Sequence, residues 1–380
     1  MSQSIEVVIP VHDPARPLER GLRSILRQQE GLAALGVELR ATVVCHNIAP
    51  EDIKSSIPAD LASHASVVWL HHADGIKSPA GPRNVALDAS SATFLCFLDS
   101  DDFLEAGSLA AWWQLAEART AAAVIAPLRT PEGNILRSPR IRPSKPAVLN
   151  AVKDGLAYRS VPYGLLRRSS LLAIGFRYAE GIATGEDITT TLKLWFRAGT
   201  ICYPYDAPAY HQTDDSGPNR VTSSILPLAE EFAWLDGLLT EPWLLSAPEV
   251  ERRAVALKIL RVHGVGALLR RAAFEPAAGQ EPWNSGESRR WSVLLANLKT
   301  FAGGGLPALS RKDAALCLAA TKAQDQRELR AAVVLHQKSG RQQELLTDQP
   351  CGVLSRESVL RHYLNEQLRS KTGVYATPEV

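Results

Sequence analysis

Five short apolar runs punctuate the first third of the chain, and segments of helical period separate most of them. Ile5 to Val11, Leu39 to Cys45, Val67 to Leu70, Thr93 to Leu98 and Ala122 to Ala126 read as buried strands. Pro10 and the turn formers Asp13 and Pro14 end the first of them. Leu18, Leu22, Ile25 and Leu26 recur at helical spacing, Gly81 to Ala89 reads as a helix, and Ser108 to Ala118 is a helix with two tryptophans. Strands that alternate with helices demand an α/β fold, a mostly parallel Rossmann-like sheet with helices on both faces. Ligands bind such sheets at the carboxyl ends of the strands.

Residues 127–160 are rich in Pro, Arg and Ser and read as loops with one or two short strands. Ser169 to Ile174, closed by Gly175, reads as a short helix. A stronger helix begins near Asp187 and ends before Gly199, with Ile188, Leu192, Trp195 and Phe196 on its apolar side. Beyond about Thr222 strand signals thin out. Helical periodicity takes over, as in Val255, Ile259 and Val262 and from Ala314 to Leu335. A length of 380 residues suits two domains, and the shift divides them into an α/β domain over 1–224 and a mainly helical domain over 225–380. Loops are expected at Phe274 to Gly286 and at Gly303 to Pro307.

A formal net charge of +2 gives no reason to expect nucleic acid as a partner. The five cysteines are scattered and form no CxxC, which fits a reducing cytoplasm. The N-terminus leads straight into the first strand without a signal-like stretch, and no apolar run is long enough to span a bilayer. The expected location is cytoplasmic, with attachment at the inner face of the membrane and self-association left open.

Chemistry concentrates at three segments. Phe97-Leu98-Asp99-Ser100-Asp101-Asp102 follows a buried strand directly. In an extended segment Asp99 and Asp101 project the same way, and paired carboxylates hold Mn2+ or Mg2+ against phosphate oxygens. The same residue types also suit an Asx turn or a helix cap. Ala80-Gly81-Pro82-Arg83-Asn84 opens a helix, where backbone amides and a guanidinium suit a phosphate, although Gly-Pro is also ordinary turn chemistry. Thr184-Gly185-Glu186-Asp187 opens the Trp195 helix; an aspartate there either caps the helix or acts as a general base.

In order and spacing these elements resemble the family-2 glycosyltransferases with a GT-A fold. Ile5 to Asp13 is similar to that family's opening strand and nucleotide loop, and Ser24-Ile25-Leu26-Arg27-Gln28 follows at the usual distance. Arg83-Asn84 matches its RN pair and Phe97 to Asp102 its DxDD segment. Tyr163 to Arg168 leads to Ile174-Gly175-Phe176, and Gly185-Glu186-Asp187 resembles the acceptor-side ED motif. The resemblance covers residues 5 to about 222. It implies a metal-dependent, inverting transfer of a sugar from a nucleoside-diphosphate sugar to a hydroxyl of a glycan, cell-wall polymer or glycolipid. Asp99 and Asp101 would contact the sugar nucleotide and its Mn2+ or Mg2+, Arg83 the diphosphate, and Pro10 and His12, with Asp13, the base and ribose. Asp187 would be the catalytic base beside Glu186, and His211 a further metal or diphosphate contact. Asn219-Arg220-Val221-Thr222 would border the acceptor or diphosphate. The helical domain would serve acceptor recognition or oligomerisation.

One departure affects the donor. Many relatives follow the second strand with an acidic segment that binds uracil, whereas this chain has Cys45-His46-Asn47-Ile48. His46 or Asn47 is then expected to read the base, or Asp74 to substitute for the missing carboxylate. Two other readings stay open from the residues alone: a nucleotidyltransferase, which attacks phosphorus, and a sugar-nucleotide or glycan-binding protein without turnover.

Overall fold

The computed structural model describes residues 3–214, 225–275 and 281–375. The chain divides into two compact units, one of Met1–Asn150, Arg159–Val221 and Gly373–Val380, the other of Ala151–Tyr158 and Thr222–Thr372. The division is therefore not a single cut. A short segment before Arg159 packs with the helical unit, and residues 373–375 pack with the α/β unit, where Tyr375 donates its hydroxyl hydrogen to Pro139 O.

Among the described residues the α/β unit has ten strands: β1 (Gln3–Val11), β2 (Val37–His46), β3 (Val67–His72), β4 (Phe94–Phe97), β5 (Phe103–Leu104), β6 (Ala123–Ile125), β7 (Leu128–Arg129), β8 (Gly164–Arg167), β9 (Ile201–Cys202) and β10 (Tyr210–His211). Seven form one sheet in the order β3-β2-β1-β4-β8-β6-β9. The pairs β3-β2, β2-β1, β1-β4 and β6-β9 are parallel, and β8 runs antiparallel to both its neighbours. β1 is buried almost continuously because helices cover both faces, whereas β3, at the sheet edge, is only half-buried. The strand order reverses at β1, with β2 and β3 on one side and β4 on the other, so a crevice opens at the carboxyl ends of β1 and β4. That crevice positions the site.

A second, three-stranded sheet, β5-β10-β7, hangs from the same end. It returns the chain after β9 to the segment that follows Asp102, pairing Tyr210 with Leu104 and His211 with Phe103. The helix Leu18–Leu26 holds this corner from the other side. Gly21 lets it close on the Asp102 carbonyl, since a Cβ there would lie 3.2 Å from that oxygen. Ser24 Oγ accepts from Leu104 N at 3.1 Å, and Gln28 Nε2 donates to Glu105 O at 2.9 Å.

Several elements depart from the expected pattern. The short helices Pro50–Ser55 and Ala59–Ala62, both introduced by prolines, fill the β2–β3 connection. The helical run from Ala314 is broken into Arg311–Ala320 and Gln326–Gln337, because Asp325 caps a new helix with its side chain on Glu328 N. Among the described residues of the helical unit there is no strand. Its core is anchored by Trp283 and Trp291, both fully buried, whose indole N–H groups donate to Ala323 O and Cys317 O. No helix of the described residues is long and apolar enough to cross a membrane.

Gly164, at the start of β8, has φ +144°, and a Cβ there would sit 2.0 Å from Val124 O and 2.8 Å from Ala126 N. Neither backbone atom can move without breaking the β6–β8 ladder. Gly164→Ala is expected to destabilise the protein by more than about 2 kcal/mol, combining strain and overpacking, read as a fall in the urea midpoint.

Candidate active site

The turn after β4 carries its three aspartates in different environments. Asp99 is held from two directions: Arg83 Nη2 donates to Oδ1 at 2.7 Å, and the Tyr163 hydroxyl donates to Oδ2. Asp101 pairs with Arg16 Nη1 at 2.8 Å, while its carbonyl accepts from Arg20 and from Thr213 Oγ1. Asp102 is buried and accepts from the Tyr210 hydroxyl at 2.7 Å and from Thr213 N at 2.8 Å. Tyr163 and Tyr210 stack face to face with centroids 4.4 Å apart. Burial, with the charge of Asp99 beside them, raises both phenols far above their ordinary range, so they remain hydrogen donors.

Arg83 lies in the first turn of the helix Ala80–Ala89 and is almost fully buried. Besides Asp99 it meets Glu186 Oε1 at 3.6 Å and covers the Tyr178 ring at 5.2 Å. Burial, the largest effect, would lower its pKa, but Asp99, the phenols of Tyr178 and Tyr163 and the charge of Glu186 together outweigh it and raise the pKa. Its Nε has no acceptor. The neighbouring Asn84 binds the backbone of Tyr178 on both sides, donating to its carbonyl at 3.0 Å and accepting from its N–H at 2.9 Å. The RN pair therefore ties the Asp99 turn to the segment that ends in Gly185-Glu186-Asp187. Asp187 is the N-cap residue of the helix Ile188–Arg197 by its backbone, accepting from Thr191 N, but its carboxylate does not cap that helix. Its charge acts on the Tyr178 hydroxyl, together with that of Asp99 and Glu186.

On the other side of β1, Pro10 pairs in register with Val44, and His12 and Asp13 follow as exposed residues. Asp13 closes a turn through its Oδ1 on Ala15 N. Burial, then the charges of Arg16 and His46, lower the His12 pKa, against Asp13 and Asp101, which raise it. His46, buried at the end of β2, lies 2.8 Å from Asp74 Oδ1. Asn47, in the left-handed region at φ 56°, accepts from Asp74 N and Gly75 N through its side chain. Burial pushes the Asp74 pKa up, yet the bonds from Ile76 N and His46 hold it well below the usual carboxylate range. A carboxylate thus stands beside the β2 end, supplied by the loop after β3.

His211 is placed differently. Its Nε2 lies 2.8 Å from Glu105 Oε1 and its ring stacks on Phe103 at 4.4 Å. Glu105 is further bound by Ala209 N and by Arg129 Nε. Among the described residues, Asp99, Asp101 and His211 do not gather their ligand atoms into one cluster. Asn219 to Thr222 lie outside the described residues. Sequence reasoning missed the partners of the aspartates: Arg16 and Arg20, whose four-residue spacing after the nucleotide loop was the available signal, and Tyr163, Tyr210 and Thr213, which no local pattern marks.

Burial and then the charge of Asp99 push the Asp102 carboxyl up to about 7. Its folded pKa lies above the unfolded value of roughly 3.9, so the native state binds the extra proton. Without divalent cation, stability should fall as pH rises from about 4 to about 7 and level off above that. Urea titrations across this window test it; the slope should flatten in Asp102→Asn.

No protein-family model matches the chain. Among curated proteins it is 20% identical over 226 residues to a poly(ribitol-phosphate) beta-glucosyltransferase of Bacillus spizizenii, covering 59% of this chain and 34% of the relative. It is 23% identical over 154 residues to the poly(ribitol-phosphate) beta-N-acetylglucosaminyltransferase TarS of Staphylococcus aureus, covering 40% of this chain and 26% of that protein. The matches thus span about a quarter to a third of the length of these relatives. Among solved structures, S. aureus TarS 1-349 in complex with UDP-GlcNAc superposes with a TM-score of 0.67 at 15% identity, over 88% of this chain and 92% of that one. The longer S. aureus TarS structure gives a TM-score of 0.63 at 15% identity, over 88% of this chain and 55% of that one. A share of 88% exceeds residues 1–224, so the likeness of fold runs on into the helical residues. The motifs, the sequence relatives and the fold agree: the chain has the GT-A fold and is similar in sequence to glycosyltransferases that act on poly(ribitol-phosphate).

Proposed function

We propose that the chain transfers a sugar from a UDP-sugar to a hydroxyl of a poly(ribitol-phosphate)-type polymer, with inversion at the anomeric carbon. The observation that carries this reading is the buried Arg83 clamp. By meeting both Asp99 and Glu186, it joins the aspartate turn to the segment that carries Asp187. The names of the sequence relatives support a polymer acceptor, and the UDP-GlcNAc complex of the structural relative supports a UDP donor.

The donor set of the aspartate turn is all oxygen, which fits Mn2+ or Mg2+. Asp101 and Asp99 would hold the ion, Asp101 directly; His211, committed to Glu105, is left out of the set. When bound, such an ion offsets charge on the departing diphosphate. The rest falls to this chain's own groups. Arg16 and Arg20 flank Asp101, and the unsatisfied Nε of Arg83 adds a donor at the same crevice. Pro10 and His12 border the ribose, and Asp74, His46 and Asn47 read the uracil, with Asp74 in place of the carboxylate that follows β2 in many relatives. Asp187 accepts the proton of the attacking acceptor hydroxyl as the C–O bond to the anomeric carbon forms and the bond to the diphosphate breaks. The helical unit serves acceptor recognition or self-association. A cytoplasmic setting, where nucleotide sugars are available, agrees with the free thiols of all five cysteines.

Calorimetry with UDP and assays with UDP-GlcNAc and UDP-glucose, each with and without Mn2+, test the reading. Release of UDP supports it, release of UMP indicates attack at phosphorus, and binding without release indicates a binding protein. Asp101→Ala should abolish Mn2+-dependent UDP binding with unchanged circular dichroism, since the side chain is only partly buried beside Arg16; full activity in EDTA contradicts the metal assignment.

Asp187→Asn should keep the donor Kd and lower transfer by at least about 100-fold. Weakened donor binding with normal turnover would make Asp187 a structural residue.

A further inference from the structure

At the edge of the sheet β2 and β3 end side by side, and the parallel register sets His46 opposite His72. Both imidazoles aim Nε2 at one carboxylate. His46 Nε2 lies 2.8 Å from Asp74 Oδ1, and His72 Nε2 lies 3.1 Å from Asp74 Oδ2. The rings stack with centroids 5.7 Å apart and planes 13° from parallel. Among the described residues this is the group whose His, Cys, Asp or Glu ligand atoms converge, all within 4.8 Å of one another.

We propose that His46, His72 and Asp74 bind one divalent transition-metal ion of the zinc class, separate from the ion assigned to Asp99 and Asp101. Two imidazole nitrogens and one carboxylate oxygen are the donors of zinc sites that keep an open fourth position, whereas Mg2+ and Ca2+ take oxygen. Bonds of about 2.0–2.1 Å in a tetrahedron separate neighbouring ligand atoms by roughly 3.4 Å; the two imidazole–carboxylate contacts, at 2.8 and 3.1 Å, bracket the carboxylate closely, and one ligand atom from each residue already lies within 4.8 Å of the others. The carboxylate is held in place by its surroundings, with Ile76 N donating to Oδ1 at 2.9 Å and Asn47 fixing the Asp74 and Gly75 amides. The helix that opens at Ala80 closes over the group without filling it: a Cβ on Gly81 would lie 2.6 Å from both His72 Nε2 and Asp74 Oδ2. The His72 and Asp74 side chains are 25% and 20% exposed, so solvent can supply the fourth ligand. Binding requires each Nε2 to present its lone pair, with the ring hydrogen on Nδ1.

His46 and Asp74 are also the groups assigned to the base, so ion and base exclude one another. That consequence rests on the donor reading, while the site itself does not.

Untagged full-length protein titrated with ZnCl2 by calorimetry, and with Co2+ by visible absorption, tests the site. One zinc equivalent and the d–d bands of four-coordinate Co2+ are expected in the wild type, in Asp101→Ala and in His71→Ala. His72→Ala and the size-conserving His72→Gln should each lower zinc affinity at least about 10-fold with unchanged circular dichroism. Equal affinity in the His72 variants, loss of the site in Asp101→Ala, or no zinc equivalent in the wild type overturns the proposal. Uridine, which has no phosphates to chelate the ion, should bind more weakly in zinc to the wild type but not to His72→Ala. Zinc binding without that antagonism keeps the ion site and overturns the base assignment.

Discussion

The buried guanidinium of Arg83 is the interaction on which the site depends. A charge removed from water is costly unless paired, and breaking such a pair costs about 3–5 kcal/mol because the other charge is stranded. Arg83 meets that condition with Asp99 at 2.7 Å, Glu186 at 3.6 Å and the Tyr178 ring beneath it. The partners come from two separate stretches of chain, the aspartate turn and the segment from Tyr178 to Glu186. Their common need for the one cation therefore sets the distance between the aspartate turn and the Glu186-Asp187 segment. Asn84, one residue on, fixes the same segment by its backbone.

The aspartate turn itself is shaped by the second sheet. β10 returns the chain beside β5 and delivers Tyr210, whose hydroxyl donates to Asp102 and accepts from Asp99 N. Tyr163, stacked on Tyr210, reaches Asp99 from the residue just before β8, the strand that runs antiparallel between β4 and β6. Both phenols are too buried to ionise, so they orient the carboxylates as neutral donors. With Arg16 taking Asp101, each carboxylate of the turn has a distinct fixed partner, and the turn is organised before any ligand arrives.

The end of β2 follows a different logic. No carboxylate follows β2 in the chain, yet one stands beside it in space, because parallel pairing brings the loop after β3 alongside. Asp74 is held ionised there by the Ile76 amide and His46. A pattern read along the chain cannot show that neighbour.

Much of the architecture was legible because it follows from local periodicity. Continuous apolar runs marked β1, β2 and β4, and the helix Ser108–Ala118 falls where its period places it. The antiparallel β8 and the two-residue strands β5 and β10 were not legible, since strands this short carry no period and form only when a partner is near; β7 falls in the segment where one or two short strands were expected. The sequence by itself determined that an α/β sheet would present Asp99 and Asp101 at a strand end, because apolar runs must be buried and carboxylates must leave the core. Tertiary structure alone decided what those carboxylates meet. Arg16, Arg83, Tyr163 and Tyr210 are scattered over nearly 200 residues. Only the order of strands in the sheet, which long-range pairing sets, brings them to one crevice.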